Sequence, residues 1–260
     1  MQQNIAAPHA LELNGISKRF GPVVALEEVS FHLGANEILG LVGDNGAGKS
    51  SLVKVLSGVN RPDSGRFFIG GEAVDMRRYC VATARRLGVE TVYQERALAE
   101  KQPLWRNVFV GRHKTNRLGL IDVDFEKRET EIILKEFLNL RGHGVSADAE
   151  VASLSGGERQ GLAIGRAMYF DAGVCILDEP TTALSLGEVD KVLQFIRSIK
   201  NAGKSAVFIS HNMRHIHETC DRFVVMDRGR ITHDLLKKET SLEALSSILT
   251  GLANGEVSAS

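Results

Sequence analysis

Gly43-Asp44-Asn45-Gly46-Ala47-Gly48-Lys49-Ser50 is a glycine-rich stretch that ends in a lysine and a serine. Ahead of it, Glu37-Ile38-Leu39-Gly40-Leu41-Val42 is a short apolar run bounded by turn residues, which predicts a buried strand. Behind it, Leu52, Val53, Val55 and Leu56 recur at helical spacing until Gly58 closes the segment. Strand, glycine-rich loop and helix in that order match G-x-x-x-x-G-K-[ST], a phosphate-binding loop. Glycines let successive backbone N–H groups turn inward on a polyphosphate, and the helix N-terminus adds its positive dipole end. Lys49 can reach the β- and γ-phosphates, the Ser50 hydroxyl can ligate Mg²⁺, and Ser51 closes the set of phosphate-side candidates.

Working outward, the rest of the chain has room for a large core. Its 260 residues are 43% hydrophobic and 25% charged, the profile of a globular protein of one large domain or a domain with an embedded subdomain. Formal net charge is zero, which argues against a protein built to grip a nucleic-acid backbone. Cys80, Cys175 and Cys220 show no C-x-x-C spacing and read as buried thiols in a reducing compartment. No apolar run approaches bilayer length, and no secretory segment is expected at the N-terminus. If the protein works at a membrane, another chain does the spanning.

Residues 1–10 read as a flexible arm and 251–260 as a polar tail, with one domain over 11–250. From Leu11 to Leu33 apolar residues alternate between breaks at Asn14-Gly15, Gly21-Pro22 and Gly34-Ala35-Asn36, which predicts short antiparallel strands. A strand ends at Gln94, and residues 95–168 then lack strand signals and read as a helical insertion. Within it, a helix over Phe125–Leu140 is expected to bury Phe125, Ile132, Ile133, Phe137 and Leu140. Strands resume at Gly173–Leu177, Ser205–Ile209 and Phe223–Met226, alternating with helices over Leu186–Lys200 and from Met213 to Cys220. A last helix is read over Leu242–Leu249. The pattern predicts an α/β fold with a mostly parallel sheet, an N-terminal antiparallel β subdomain and a helical insertion.

Two further stretches carry chemistry. The strand after Gly173 ends in Asp178-Glu179-Pro180, so adjacent carboxylates fall where open α/β sheets bind ligand. Asp178 can hold Mg²⁺ opposite Ser50, and Glu179 can polarise the water that attacks the γ-phosphate. Taken alone, a solvated acid pair fits the same residues. Leu154-Ser155-Gly156-Gly157-Glu158 opens an apolar helix with Ser155 as N-cap and two glycines leaving amides open, a second anion-binding device. On physics alone, an ordinary Ser-capped helix fits as well.

At these residues the chain resembles the ATP-binding subunits of ABC (ATP-binding cassette) transporters, over about residues 11–235. The family's LSGGQ signature appears as Leu154 to Glu158, departing only at Glu158. The resemblance implies a P-loop NTPase core that binds ATP and Mg²⁺ and hydrolyses ATP. It makes Gln94 a Mg²⁺ contact that communicates with a transmembrane partner, and His211 a contact to the γ-phosphate. Phe20 becomes the aromatic that stacks on adenine, although a core aromatic is its competing reading. His211, His215 and His217 lack the Cys and carboxylate neighbours of a zinc site. Where the family often has Asp after the Asp-Glu strand, this chain has Ser185, which can hydrogen-bond but carries no charge.

The same likeness implies two subunits paired head to tail, each ATP lying between one chain's Gly43–Ser50 and the other's Ser155–Gly157. It places the pair on the cytoplasmic face of a membrane with two permease subunits, and indirectly with a periplasmic or extracellular sugar-binding protein. Gly43-Asp44-Asn45-Gly46, Val92-Tyr93-Gln94-Glu95 and Ser210-His211-Asn212-Met213 look like the ribose- and fructose-type monosaccharide importers. The alternatives are an importer of another small solute and a soluble cassette ATPase of DNA repair, chromosomes or ribosomes. Those soluble proteins usually need a coiled-coil insertion, zinc fingers or a second cassette, for which this length has no room.

Overall fold

Two long strands come first, β1 (Leu11–Phe20) and β2 (Val23–Leu33), paired antiparallel in a four-stranded sheet of order β2-β1-β4-β5. In the computed structural model, residues 9–93, 98–136 and 146–254 are described; Gln94, Glu95, Phe137 and Leu140 lie outside them. The expected break at Asn14-Gly15 does not end the strand. The pairing instead shifts register between Leu13 and Ile16, and the Gly15 N–H finds the Ser30 hydroxyl at 2.8 Å. β4 (Ser64–Ile69) and β5 (Glu72–Ala73) complete this sheet.

The apolar run before the glycine loop is β3 (Ile38–Gly43), every residue of it buried. Full burial follows from its place in a six-stranded sheet, where parallel neighbours flank it on both sides. The sheet order is β10-β9-β3-β8-β7-β6. Its other strands are β6 (Val89–Val92), β7 (Val174–Asp178), β8 (Ser205–Ile209), β9 (Arg222–Asp227) and β10 (Arg230–Leu236). β10 pairs antiparallel with β9, across a turn at Arg228-Gly229. Fully buried side chains such as Leu39, Leu41 and Val42 each stabilise the sheet by about 1.5–3 kcal/mol.

Helices between these strands are α1 (Lys49–Leu56), α2 (Val81–Arg86), α3 (Leu104–Phe109), α4 (Val123–Glu136) and α5 (Gly156–Tyr169). α6 (Leu186–Asn201), α7 (Met213–Thr219) and α8 (Leu242–Ala253) follow. α8 runs past the expected end at Leu249 to Ala253, and Cys175 and Cys220 are buried as expected, whereas Cys80 is exposed because it precedes the first turn of α2.

At the N-terminal end of β3 sits a charged clasp. Arg222 pairs with Glu37 at 2.7 Å and with both Asp234 oxygens at 2.7 Å, while Asp221 accepts from the Ile38 N–H at 2.9 Å. Paired in this way, the nearly buried guanidinium keeps its charge inside the fold.

Contacts divide the chain into two units: Met1–Thr91 with Ala172–Glu179 and Arg197–Ser260, and Val92–Asp171 with Pro180–Ile196. The second unit has a core of its own, in which Leu104, Phe109, Ile133, Leu134, Leu154 and Leu162 are buried. α4 meets it through part of the expected stripe: Ile133 is buried and Phe125 packs against the core, but Glu126, Thr130 and Leu134 are buried beside them and Ile132 is exposed. A buried Glu126 is tolerable because its carboxylate accepts from the Lys114 N–H at 2.8 Å and meets His113 Nδ1 at 3.1 Å.

Candidate functional site

The glycine loop leaves the buried end of β3 and enters α1 through a Gly48 N-cap with φ 105°. Two of its glycines are obligatory for the backbone path. A Cβ on Gly43 would lie 2.3 Å from the Met226 carbonyl oxygen, and one on Gly48 2.7 Å from that of Ala25. The loop is also braced from behind, since the Gly229 N–H donates to the Ala47 carbonyl at 2.9 Å and the Gly229 carbonyl accepts from Glu27 at 2.8 Å. Lys49 Nζ folds over the loop, donating to the Gly43 carbonyl at 2.7 Å and the Asp44 carbonyl at 2.9 Å. Burial lowers its pKa, and Glu179, Asp44 and Asp178 pull it back up. Ser50 is exposed at the first turn of α1.

Asp178 and Glu179 stand at the C-terminal end of β7, in the same unit. The Glu179 N–H donates to the Ile209 carbonyl at 3.0 Å, and φ at Glu179 is 52°, a left-handed conformation unusual for a side-chain-bearing residue. His211, just beyond β8, brings Nε2 within 3.2 Å of Glu179 Oε1. Glu179 is 6% exposed and the His211 side chain 54%, so the pair joins a buried carboxylate to an open face. Burial raises the Asp178 carboxyl, Glu179 adds to the rise, and Lys49 and His211 oppose it. A half-buried acid raised by its neighbour, with an exposed hydroxyl at Ser50, is a donor set that a hard divalent cation fits. Beside the loop a cavity of about 540 Å³ is lined by Gly43 to Ala47, His211 and Met226 to Arg228, with Leu249 and Leu252 of α8 as one wall.

The structure thus brings Lys49, Asp178, Glu179 and His211 together. Phe20, at the last pair of β1 and β2, is 44% exposed with Lys18 Nζ 5.5 Å from its ring centre, so it is not the core aromatic of the competing reading. His217 is taken up structurally, near the Thr240 carbonyl at 2.9 Å and stacked on Phe223. Among the described residues no three His, Cys, Asp or Glu side chains form a metal cluster.

The Ser155 stretch belongs to the second unit. Leu154 is buried in that unit's core and fixes where α5 begins. Ser155 Oγ accepts from the Glu158 N–H at 3.3 Å, and Glu158 Oε2 accepts from the Ser155 N–H at 2.8 Å. The pair is a capping box, which gives the Glu in the fifth position a physical use. Gly156 and Gly157 carry first-turn amides beside the exposed Ser155. Sequence reading missed Glu188, whose carboxylate accepts from the Gly157 N–H at 3.1 Å; the Ser185-x-x-Glu188 capping pattern was the available signal.

The chain is 39% identical, over 95% of its length and 96% of the other's, to the xylose/arabinose import ATP-binding protein of Sulfolobus acidocaldarius. It is 36% identical to the fructose import ATP-binding protein of Rhizobium meliloti, over 93% of this chain and 94% of that one. A ribose import ATP-binding protein of Chromobacterium violaceum is 36% identical over 94% of this chain, which spans 47% of that longer protein. In fold, the chain is similar to a nucleotide-free ATP-binding cassette from an ABC transporter, with TM-score 0.77 and 23% identity over 93% of this chain and 95% of that one. A dimeric post-hydrolysis cassette bound to ADP and Pi matches with TM-score 0.72 and 20% identity, over 87% and 98% of the two chains. The family model described as "ABC transporter" matches residues 26–182, from β2 through the Asp178-Glu179 strand end, and the chain belongs to that family.

Proposed function

We propose that this chain is the ATP-hydrolysing subunit of an ABC importer and energises uptake of a monosaccharide through partner transmembrane subunits. The observation that carries the ATPase reading is the grouping of Lys49, Asp178, Glu179 and His211 around one glycine loop. Monosaccharide import is supported by the relatives, whose names specify xylose/arabinose, ribose and fructose. Among them the soluble, non-transport alternative finds no support. No helix among the described residues is long and apolar enough to cross a membrane, in keeping with a subunit on the cytoplasmic face that relies on permease partners.

In this reading Lys49 gives up its bonds to the Gly43 and Asp44 carbonyls and takes the β- and γ-phosphate oxygens instead, an exchange of neutral acceptors for charged ones. Phe20 offers a π face to adenine. Glu179 orients the attacking water and takes its proton as the water oxygen bonds to the γ-phosphorus; the bond to the bridging oxygen breaks and its electron pair leaves with ADP. His211 holds Glu179 in place and reaches the γ-phosphate. Ser50 and Asp178, with Gln94 from its sequence position, would hold Mg²⁺, which neutralises charge between the β- and γ-phosphates.

Ser155, Gly156 and Gly157 then serve the nucleotide of a second copy. ATP between two copies favours the closed pair, hydrolysis removes that preference, and the attached permease follows. Glu179→Gln is the test: it is expected to bind ATP, hydrolyse it at least a hundredfold more slowly, and accumulate as an ATP-bound dimer on a sizing column. Parent-like turnover would remove Glu179 from the role of base. For the cargo, the chain is co-purified with its permease and binding protein, and each pentose and hexose is scored by the rise in ATPase rate; stimulation by no monosaccharide would overturn the sugar assignment.

A further inference from the structure

Two Ser-x-x-Glu pairs stand among the described residues of the second unit, a capping box at the start of α5 and a pair at the start of α6. The first is the Ser155–Glu158 pair. In the second, Glu188 Oε2 accepts from the Ser185 N–H at 3.0 Å and from the Ser185 hydroxyl at 2.8 Å, while the Glu188 N–H returns to the Ser185 carbonyl at 3.0 Å. One bond links the two. Glu188 Oε1 accepts from the Gly157 N–H at 3.1 Å, an amide in the first turn of α5 that has no acceptor within its own helix. The helix starts approach closely enough that a Cβ on Gly156 would lie 2.6 Å from Leu184 Cδ2, and one on Gly157 3.0 Å from Glu188 Cβ.

We infer that Glu188 is a positioning residue for ATP hydrolysis: one carboxylate locks the Ser155–Gly157 turn to the Ala183–Ser185 loop. This rests on the reading in which Ser155 to Gly157 complete the nucleotide site of a second copy. Glu188 itself touches neither nucleotide nor water in that reading. It acts through the two groups it holds: its bond to the Gly157 amide fixes the turn that carries Ser155 and Gly156, and its other oxygen gives uncharged Ser185 an acceptor. Three donors on one carboxylate make a charge-assisted cluster, stronger and more directional than neutral bonds. The Ser185 hydroxyl and the Ser185 and Gly157 amides together hold the Glu188 carboxyl down to about 2, so it is ionised wherever the protein works. Geometry matters here because a small misplacement of a phosphate-binding group is costly in rate.

The test uses the full chain with Glu188→Ala and Glu188→Gln. Three quantities are measured: ATP affinity of the monomer by fluorescent-nucleotide titration, turnover, and ATP-trapped dimer in the Glu179→Gln background. Glu188→Ala is expected to lower kcat at least tenfold and to weaken the trapped dimer, with monomer ATP affinity within twofold of the parent. Glu188→Gln keeps an oxygen for Gly157 but loses an acceptor for Ser185, so it should fall between the two, and it decides the matter if the Ala variant does not fold. Adding Ser185→Ala to Glu188→Ala should cost little more, since both act in one cluster.

A purely structural Glu188 would lower the melting temperature and leave kcat per folded molecule unchanged, and that result overturns the inference. Ser155→Arg separates the two levels. If Ser155→Arg hydrolyses ATP like the parent, the shared-site reading fails; if it is inactive while both Glu188 variants keep parent turnover, only the role of Glu188 fails.

Discussion

Asp178 ends β7 half-buried beside Glu179, and burial, with the neighbouring carboxylate adding to it, raises its carboxyl above the usual 3.8. The folded, nucleotide-free chain therefore holds this proton more tightly than the unfolded chain does. Stability from this group is greatest below 3.8 and is lost as pH rises through the raised value, the opposite of a salt-bridged Asp. Asp178→Asn should remove that loss: its melting temperature without nucleotide is expected to exceed the parent's at pH 7, and the gap to close on acidification, while hydrolysis is abolished. A lower melting temperature at pH 7 would show that the carboxylate is not strained. Lys49→Ala should lose ATP affinity by at least tenfold in calorimetry, because the ammonium is the loop's own source of positive charge. These residues were legible in the sequence because each sits at a fixed offset from a strand end or helix start. Glu158 read as a departure until its bond to the Ser155 amide showed it to be a cap.

At the scale of elements, the turn between β9 and β10 does more than reverse the chain. Gly229, at φ 81°, donates to Ala47 and accepts from Glu27, so the turn is wedged between the phosphate loop and β2. Gly229→Ala would strain the backbone and set a Cβ 2.9 Å from the Ala25 carbonyl oxygen. The expected result is a rise in the ATP Kd of about tenfold, equivalent to about 1.4 kcal/mol, with turnover at saturating ATP changed less. Unchanged ATP affinity would mean that the loop holds its shape unaided. No side-chain pattern announces this brace, because it is a backbone bond between segments far apart in the chain. Strands and helices were otherwise legible from period and turn residues, with errors that have physical causes. Gly15 is absorbed by a register shift rather than a break, and Glu126 turns inward because Lys114 and His113 satisfy it, while Ile132 of the expected stripe stays exposed.

For the whole molecule, strand–helix alternation was enough to anticipate a mostly parallel sheet, since parallel neighbours need crossovers that helices supply. It could not supply the strand order, which depends on tertiary pairings such as β3 between β8 and β9. Nor did any pattern mark the clasp of Arg222 with Glu37 and Asp234, whose members are scattered along the sequence. Arg222→Leu should lower stability by about 3 kcal/mol, because it leaves two acids, one of them largely buried, without their cation. The folded fraction is expected to keep the parent's KM for ATP, and a shifted KM would link the clasp to the site. The clasp binds the N-terminal end of β3, whereas the phosphate loop leaves its C-terminal end. Changes at groups without shared partners add independently. A lineage can therefore exchange the loops at one end of these strands, retuning speed or cargo coupling, while drift at the other end sets only the temperature at which the protein survives.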